Sequence, residues 1–397
     1  MSSLSYQGLT AGTFNITAQE RIVHGMPAGD AVLAEAERCG AQRVFIVSSA
    51  SLARLTDGPL QRVQRALGAR HAGTFGAVRA HSPREDVIAA ALAARQAGAD
   101  LLVAVGGGSA VDATKALQVC LWHGLTTPEA MEPYRAGAPA EVARTTVAPP
   151  DAIRMLSVST TLSASEFTAM AGITDTATRA KQMFGHRLVV PRVAVLDPAA
   201  TLDTPAGLLF STAIRSVDHA VETWCSPLAT PATEALSLQG LRLLARALPA
   251  IQADPTALGP RLDAQFGMWQ AMAALAAGVQ TGASHGIGYA LGAGFNVPHG
   301  HTSCVMLPAV LQWNAQVNGE RQRALSDAMG TSEVPAHELI RAMIAGLGQP
   351  TRLRDVGLRE DQLPELAQRA LAYPPVQANP RPVHGVDDLR EILALAW

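Results

Sequence analysis

The stretch DLLVAVGGGSAVDATKA, residues 100–116, indicates the fold of the first half of the chain. It begins with an apolar run that is typical of a buried parallel strand and leads directly into glycines at 106–108. Ser109 then begins a predicted helix, and Asp112 follows one turn later, as in many helix starts. Glycines let the backbone approach an anion closely, and free N–H groups at a helix start favour a phosphate. Because the loop matches neither GxGxxG nor a Walker sequence, simple capping of the helix is the alternative to phosphate binding.

Predicted strands and helices alternate around this stretch. The runs Arg43–Val47 and Thr74–Val78 are typical of buried strands, whereas Leu52–Leu67 and Pro83–Ala97 show helical periodicity. Such alternation predicts a Rossmann-like α/β domain with a parallel sheet, and we place it at residues 1–200.

The second half has a different character. Beyond Thr204, alanine and leucine dominate and strand-like alternation disappears, so we expect consecutive helices as far as Trp397. The sequence therefore predicts a second, all-helical domain at residues 201–397. Its aliphatic surface could supply a homodimer interface.

Hydroxyl side chains end another predicted strand. In the run MLSVSTT, residues 155–161, the side chains of Ser159, Thr160 and Thr161 could bond the amide or the ribose of a cofactor. The alternative is a turn in which these hydroxyls cap the next helix.

A predicted helix at Phe210–Trp224 carries charged side chains within a mostly apolar sequence. Arg215 and His219 are four residues apart and share one face, and Asp218 is close enough along the helix to pair with Arg215. The apolar residues indicate that this helix is largely buried. Functional roles for Arg215 and His219 are therefore favoured over the alternative, a stripe of charged side chains in solvent.

The stretch Ser284–Asn314 contains His285, His299 and His301. Uncharged imidazole is the commonest protein ligand of zinc and iron, and it also transfers protons near neutral pH. Pro298 predicts that a helix begins near His299, which would let His285 and His299 point into one cleft. A buried helical hairpin with internally bonded histidines is the alternative.

The composition argues against several classes of partner. The 397 residues are 48% hydrophobic, and the net charge of −2 comes without any basic run, so neither nucleic acid nor a membrane surface is expected. No apolar run is long enough to span a bilayer, and residues 1–16 lack the pattern of a secretory signal. The four cysteines are too widely separated for a disulfide framework or a CxxC site. These features predict a cytoplasmic protein.

Together, these motifs resemble the iron-containing (group III) alcohol dehydrogenase family and, within it, the maleylacetate reductases. The markers cover nearly the whole chain, and they are GGGSAVDATKA (106–116), STTLSASE (159–166), Lys181, DHAVE (218–222), SHGIGYALGAGFNVPHG (284–300) and ANPRPVHGVDDLREILALAW (378–397). The resemblance implies a dehydroquinate synthase-like fold, in which an N-terminal α/β dinucleotide-binding domain and a C-terminal helical domain enclose the active site.

The resemblance also implies a site for NADH or NADPH. The pyrophosphate would lie on Gly106, Gly107, Gly108, Ser109 and Asp112, and Ser159, Thr160, Thr161 and Lys181 would line the rest of the cofactor site. Ser49 stands where many relatives have an acid that binds the adenosine ribose. An acid there would repel the 2′-phosphate of NADPH, whereas a serine would not. The sequence is therefore compatible with either NADH or NADPH.

The resemblance breaks at the metal site. His219, His285 and His299 match the histidine ligands of metal-binding relatives, but Arg215 takes the place of their Asp ligand and Tyr289 that of a further histidine. A cation repels a divalent metal and cannot coordinate it. Maleylacetate reductases depart from the same ligand set and are thought to work without metal. Three histidines can hold zinc alone, so zinc or iron on them is the alternative to the metal-free site that we favour.

The favoured function is NAD(P)H-dependent reduction of a small oxo-acid, with maleylacetate or a similar oxo-dicarboxylate as the first candidate. Arg215 would clamp a carboxylate or offset developing negative charge, and His285 or Tyr289 would donate the proton, with His219 and His299 beside them. One alternative is a metal-dependent alcohol dehydrogenase or aldehyde reductase with an atypical ligand set. The other is a catalytically inactive relative that binds nucleotide.

Overall fold

The computed structural model describes residues 13–178 and 180–397. Residues 1–12 and residue 179 lie outside the described residues. The first range includes most of the segment that lacks a secretory pattern. In the described part, the strands are β1 Arg21–His24, β2 Val44–Ser49, β3 His71–Val78, β4 Leu101–Gly106, β5 Met155–Ser159, β6 Met170–Asp175, β7 Ala180–Gly185 and β8 Val193–Leu196. The helices of the first half are α1 Ala28–Arg38, α2 Ala50–Ala53, α3 Pro59–Leu67, α4 Arg84–Gln96 and α5 Gly108–His123.

The main sheet has six parallel strands in the order β1-β8-β5-β4-β2-β3. Strand β4 lies between β5 and β2, and all of its residues are buried, as expected for a parallel strand covered on both faces. Leu102 and Ala104 pack with α4 and α5, while Leu101 and Val103 pack on the opposite face with α1 and α3. The structure thus confirms the predicted α/β architecture with a parallel sheet.

The expected single helix at Leu52–Leu67 is wrong, because the chain forms α2 and α3 instead. Gly58 has an extended backbone and precedes Pro59, which begins α3. Proline suits a first helical position because its fixed φ matches a helix and no hydrogen bond is lost there. Local chemistry at these two residues therefore overrides the helical periodicity of the longer stretch.

Strands β6 and β7 form an antiparallel hairpin outside the main sheet. Ala171 and Ile173 on β6 belong to the apolar cluster of α4 and α5, so one face of the hairpin packs on these helices. Lys181 on β7 lies opposite Thr174. The hairpin thereby carries Lys181 on a surface that is anchored to the main α/β layer.

The second half contains only helices as regular α or β elements: α6 Ala206–Cys225, α7 Pro231–Ala253, α8 Leu258–Ala276, α9 Ala283–Phe295, α10 His299–Ala328, α11 Ala336–Gly346, α12 Leu363–Ala370, α13 Pro374–Gln377 and α14 Val386–Ala396. Helix α6 is buried along most of its length and packs against α7, α8 and α10. This confirms the predicted helical half, while the domain boundary at residue 200 stays a prediction. In the described part of the chain, no helix has the length and apolar character needed to cross a membrane.

Hydrogen bonds join the two halves beside the strand ends. The Ser216 hydroxyl on α6 donates to the carbonyl oxygen of Leu162 at 2.7 Å, and the Leu162 N–H donates to the Thr212 hydroxyl at 3.1 Å. Leu162 directly follows the hydroxyl cluster at the end of β5. Helix α6, with Arg215 and His219, is therefore placed next to the predicted cofactor residues.

Candidate active site

The glycine loop at 106–108 makes a sharp turn from β4 into α5. Gly106 has a φ of +153°, and a Cβ there would lie 2.9 Å from the Cβ of Ala110. A Cβ on Gly107 would lie 2.8 Å from Cγ2 of Thr161. No side chain in the described part of the chain caps the first turn of α5. The N–H groups of Ala110 and Val111 donate to the Gly107 carbonyl, which leaves those of Gly108 and Ser109 for an anion. The loop therefore fits the pyrophosphate of a dinucleotide.

The other predicted cofactor residues meet at the same edge of the sheet. Strands β2, β4 and β5 are parallel neighbours, so Ser49, Gly106 and Ser159, which end them, lie side by side. The Thr160 N–H donates to the Gly106 carbonyl oxygen at 3.1 Å, which holds the Ser159–Thr161 hydroxyls against the glycine loop. Ligands of parallel α/β sheets bind at such carboxyl edges. The structure thus brings the predicted strand-end residues together.

Asp112 lies behind this loop and uses both carboxylate oxygens within the protein. Oδ1 accepts the hydroxyl of Ser165, and Oδ2 accepts the N–H of Gly172 on β6 at 3.0 Å. Lys115, which is fully buried, lies 3.6 Å from Oδ1. Asp112 thus joins α5 to the hairpin, and its direct contact with a pyrophosphate stays a prediction.

A strained turn beside the glycine loop was not predicted. His81 and Ser82 are consecutive non-glycine residues with φ values of +64° and +51°, a conformation that favours glycine. Ser109 holds this turn, because its hydroxyl accepts the His81 N–H at 3.1 Å and its carbonyl accepts the Ser82 hydroxyl at 2.8 Å. The only local signal was Pro83, which also fits an ordinary helix start. Such strain is concentrated at functional sites.

Helix α6 places Arg215 and His219 in the cleft, and each is 5% exposed. Among the described residues, Arg215 forms no ion pair, and its one side-chain hydrogen bond runs from Nη1 to the hydroxyl of Ser303 at 3.1 Å. The Ser303 hydroxyl in turn donates to Oδ2 of Asp218 at 2.6 Å. The direct Arg215–Asp218 pair that the helix spacing permits is therefore absent, because Ser303 from α10 lies between the two groups.

Three histidines and a tyrosine surround the guanidinium of Arg215. The ring centroids of His219 and His285 are 4.9 Å apart, and Tyr289 lies 6.3 Å from His285 and 6.2 Å from His299. The Arg215 Cζ atom lies 5.7 Å from the centre of the Tyr289 ring. The structure thus brings together all five residues that the sequence proposed as catalytic.

The electrostatics of this cleft keep the imidazoles neutral. Burial, followed by repulsion from Arg215, lowers the pKa of His285 to about 3. Burial and the neighbouring His285 and Arg215 lower the pKa of His219 well below its usual range. For His299, which keeps an exposed face, repulsion by Arg215 is the main cause of a lowered pKa, and burial and the charge of Lys181 act in the same direction.

Glu222 orients His285 from the neighbouring helix. Its carboxylate accepts the N–H groups of Gly282 and Ser284 at 2.8 Å each and lies 2.7 Å from Nδ1 of His285. Because this carboxylate caps the start of α9, it fixes both the helix and the ring. Nε2 of His285 and Nδ1 of His219 are buried and have no hydrogen-bond partner among the residues that the structure describes. In the sequence, Glu222 was indicated only as the last residue of the DHAVE marker (218–222).

The acidic side chains beside these histidines are already hydrogen-bonded within the protein. In the described part of the chain, one group of three possible metal ligands lies close enough together. It consists of Asp218, Glu222 and His285, whose ligand atoms are within 4.8 Å of one another. Glu222 already accepts backbone N–H groups, Oδ2 of Asp218 accepts two serine hydroxyls, and Nδ1 of His285 faces Glu222. A cation would have to displace these donors and would also be repelled by Arg215.

Comparisons with known proteins agree with this architecture. Residues 19–198 match the model of iron-containing alcohol dehydrogenases, and residues 210–397 match the C-terminal model of the Fe-containing alcohol dehydrogenase family. The chain is 32% identical to dehydrogenase FUM7 of Gibberella moniliformis, over 90% of this chain and 92% of that protein. It is 30% identical to a maleylacetate reductase of Burkholderia cepacia, over 95% of each chain. The crystal structure of maleylacetate reductase from Rhizobium sp. strain MTP-10005 superposes with a TM-score of 0.81, at 26% identity, over 98% of this chain and 99% of that one.

We expect Gly107→Val to weaken NAD(P)H binding by roughly tenfold or more, because a branched side chain would collide with Thr161 where the phosphate should approach. Fluorescence titration of cofactor gives the dissociation constants. Gly259→Val is the control, since a Cβ at Gly259 meets no atom within 4 Å. Binding by Gly107→Val as tight as in the parent would show that the pyrophosphate does not lie on this loop.

We expect Ser49→Asp to weaken NADPH binding at least about tenfold more than NADH binding, through repulsion of the 2′-phosphate. The uncharged Ser49→Asn should leave the ratio of the two dissociation constants near that of the parent. Titration of each variant with both cofactors measures these ratios. Equal weakening of NADH and NADPH by Ser49→Asp would mean that Ser49 does not face the ribose.

Proposed function

The chain belongs to the iron-containing alcohol dehydrogenase family, and we propose that it reduces a small oxo-acid with NADH or NADPH. As a member of this family it is an NAD(P)-dependent oxidoreductase. Relatives named maleylacetate reductase support maleylacetate or a similar oxo-dicarboxylate as the first candidate substrate. The predicted homodimer and the cytoplasmic location stay predictions.

The observation that carries this proposal is the buried Arg215 without an ion-pair partner among the described residues. Removing a charge from water costs several kcal/mol unless a counter-charge and hydrogen bonds compensate it. A guanidinium has five N–H donors in a planar fork, and in the described part of the chain Ser303 alone accepts a hydrogen bond from one of them. A substrate carboxylate would complete the pairing, with the two-pronged geometry that guanidinium favours.

The chain's own residues can then orient the substrate and supply the proton. Bound NAD(P)H provides the hydride. Arg215 would hold the carboxylate or the oxygen on which negative charge develops. With Glu222 bonded to Nδ1 of the neutral His285 ring, this ring can accept or relay a proton only through its free Nε2 atom, and the Tyr289 hydroxyl is the candidate proton donor.

We propose further that the reaction needs no divalent metal, because Arg215 provides positive charge where metal-binding relatives would place an ion. This is supported by the position of the guanidinium, whose charge is close enough to disfavour a second positive charge at His219, His285 and His299. A metal-dependent alcohol dehydrogenase with zinc or iron on these three histidines is the less favoured alternative. An inactive nucleotide-binding relative is also not favoured, because the strand-end cofactor residues and the cleft residues lie together.

We expect the parent to oxidise NAD(P)H with oxo-acids in preference to simple aldehydes, and a chelator should leave this activity unchanged. Arg215→Asp should lower kcat/KM for the oxo-acid by about a hundredfold or more, because a carboxylate would lose its partner and face a like charge. Arg215→Lys, which keeps the charge but not the fork, should retain an intermediate activity. The rate of NAD(P)H oxidation is followed by absorbance for the parent and the two variants. Each is assayed with a panel of aldehydes and oxo-acids, with and without chelator.

Added zinc or iron should not restore oxo-acid reduction in Arg215→Asp, although elemental analysis can show metal bound to the altered site. Parent activity that disappears with chelator and returns with zinc or iron would contradict the metal-free proposal. Unchanged oxo-acid activity in Arg215→Asp would contradict the role of Arg215 in substrate binding.

A further inference from the structure

The β6–β7 hairpin holds Lys181 in a slot made by a glycine on the neighbouring strand. Lys181 is opposite Thr174, so Gly172 is its diagonal neighbour on the same face of the hairpin. A Cβ added to Gly172 would lie 2.1 Å from Cε of Lys181 and 2.8 Å from Nζ. The Lys181 side chain therefore crosses β6 through space that any other residue at 172 would fill.

The backbone of Gly172 cannot easily move away to make room for a side chain. Its N–H donates to Oδ2 of Asp112 at 3.0 Å, and Oδ1 of Asp112 accepts the hydroxyl of Ser165. The buried Lys115 ammonium donates to the carbonyl oxygens of Ser165 at 2.6 Å and of Met170 at 2.8 Å. These bonds attach β6 to α5 directly behind the glycine loop. A side chain at 172 would consequently displace Lys181 and leave the strand in place.

The slot points Lys181 toward the cofactor edge of the cleft. Thr174, its partner in the ladder, donates its N–H to the carbonyl of Ser82 at 3.1 Å and its hydroxyl to the carbonyl of His81 at 2.8 Å. This strained turn rests on Ser109, at the start of α5. The charge of Lys181 also contributes to the lowered pKa of His81 and, across the cleft, of His299. Lys181 is exposed, and its ammonium has no hydrogen-bond acceptor among the described residues.

We infer that Gly172 is a positioning residue, whose missing side chain directs the Lys181 ammonium across β6 onto the bound dinucleotide. The inference rests on the proposed NAD(P)H site. It explains the glycine at 172 by cofactor binding, because the backbone there has no positive φ that would require glycine. The atoms that a new Cβ would meet belong to the end of a flexible side chain, so Gly172→Ala should change the stability of the fold little.

The test is a double-mutant cycle of Gly172→Ala and Lys181→Ala, with NADH and NADPH titrations on each variant. Gly185→Ala is the matched control, because its Cβ would displace another flexible side chain of the same hairpin, Met170, at 2.3 Å from Sδ. Thermal melting of every variant separates loss of cofactor contact from loss of fold.

We expect Lys181→Ala and Gly172→Ala each to weaken cofactor binding by about tenfold, the effect of losing one hydrogen bond from a charged group. The double variant should bind no more weakly than Lys181→Ala alone, since both changes remove the same contact. Gly185→Ala should bind cofactor as the parent does, and all melting temperatures should stay close to that of the parent.

Three results would overturn the inference. Parent-like binding by Gly172→Ala together with weak binding by Lys181→Ala would remove the role of Gly172 and leave the proposed cofactor site intact. Additive effects in the double variant would mean that Gly172 acts by a route other than Lys181. Parent-like binding by Lys181→Ala would remove the cofactor role of Lys181 itself, and with it this part of the proposed function.

Discussion

The positive charge of Arg215, buried in the cleft without an ion pair among the described residues, constrains every group around it. Burial and this charge together disfavour protonation of His219 and His285, and the charge is the main cause at His299, so the cluster stays neutral. The charge also opposes a divalent cation at the same place. A neutral histidine cluster around one fixed cation is suited to an anionic substrate, which brings the missing counter-charge with it.

The two acids of the cleft, Asp218 and Glu222, are hydrogen-bonded to groups other than Arg215. Asp218 is separated from Arg215 by the Ser303 hydroxyl, and Glu222 is occupied by the start of α9 and the ring of His285. Burial raises the pKa of Asp218 to about 6 and that of Glu222 to about 7, while Arg215 lowers both. This arrangement leaves the guanidinium available for a ligand. Protein interiors usually pair such charges, and departures from that rule are concentrated at functional sites.

The sequence by itself determined the architecture and the turn at the carboxyl end of β4. The apolar run into the glycines at 106–108 predicted a strand, a turn and a helix, and the structure has β4 and α5 there. The change of character beyond Thr204 predicted the helical half, and Pro298 predicted the start of α10 at His299. These features were predictable because periodicity, glycine and proline act over a few residues. The same reasoning failed at Leu52–Leu67, where Pro59 begins a second helix within one apolar pattern.

Only the tertiary structure decided how the side chains of the cleft are paired. Helix spacing allowed Arg215 to bond Asp218, and Ser303, which is 88 residues from Arg215 in the sequence, prevents it. Likewise, Glu222 and His285 are 63 residues apart and meet because α6 packs beside α9. The slot over Gly172 depends on the register of two strands and on bonds to another helix. The physical reason is the same in each case: a spacing restricts which partners are possible, and the packing of distant elements selects among them.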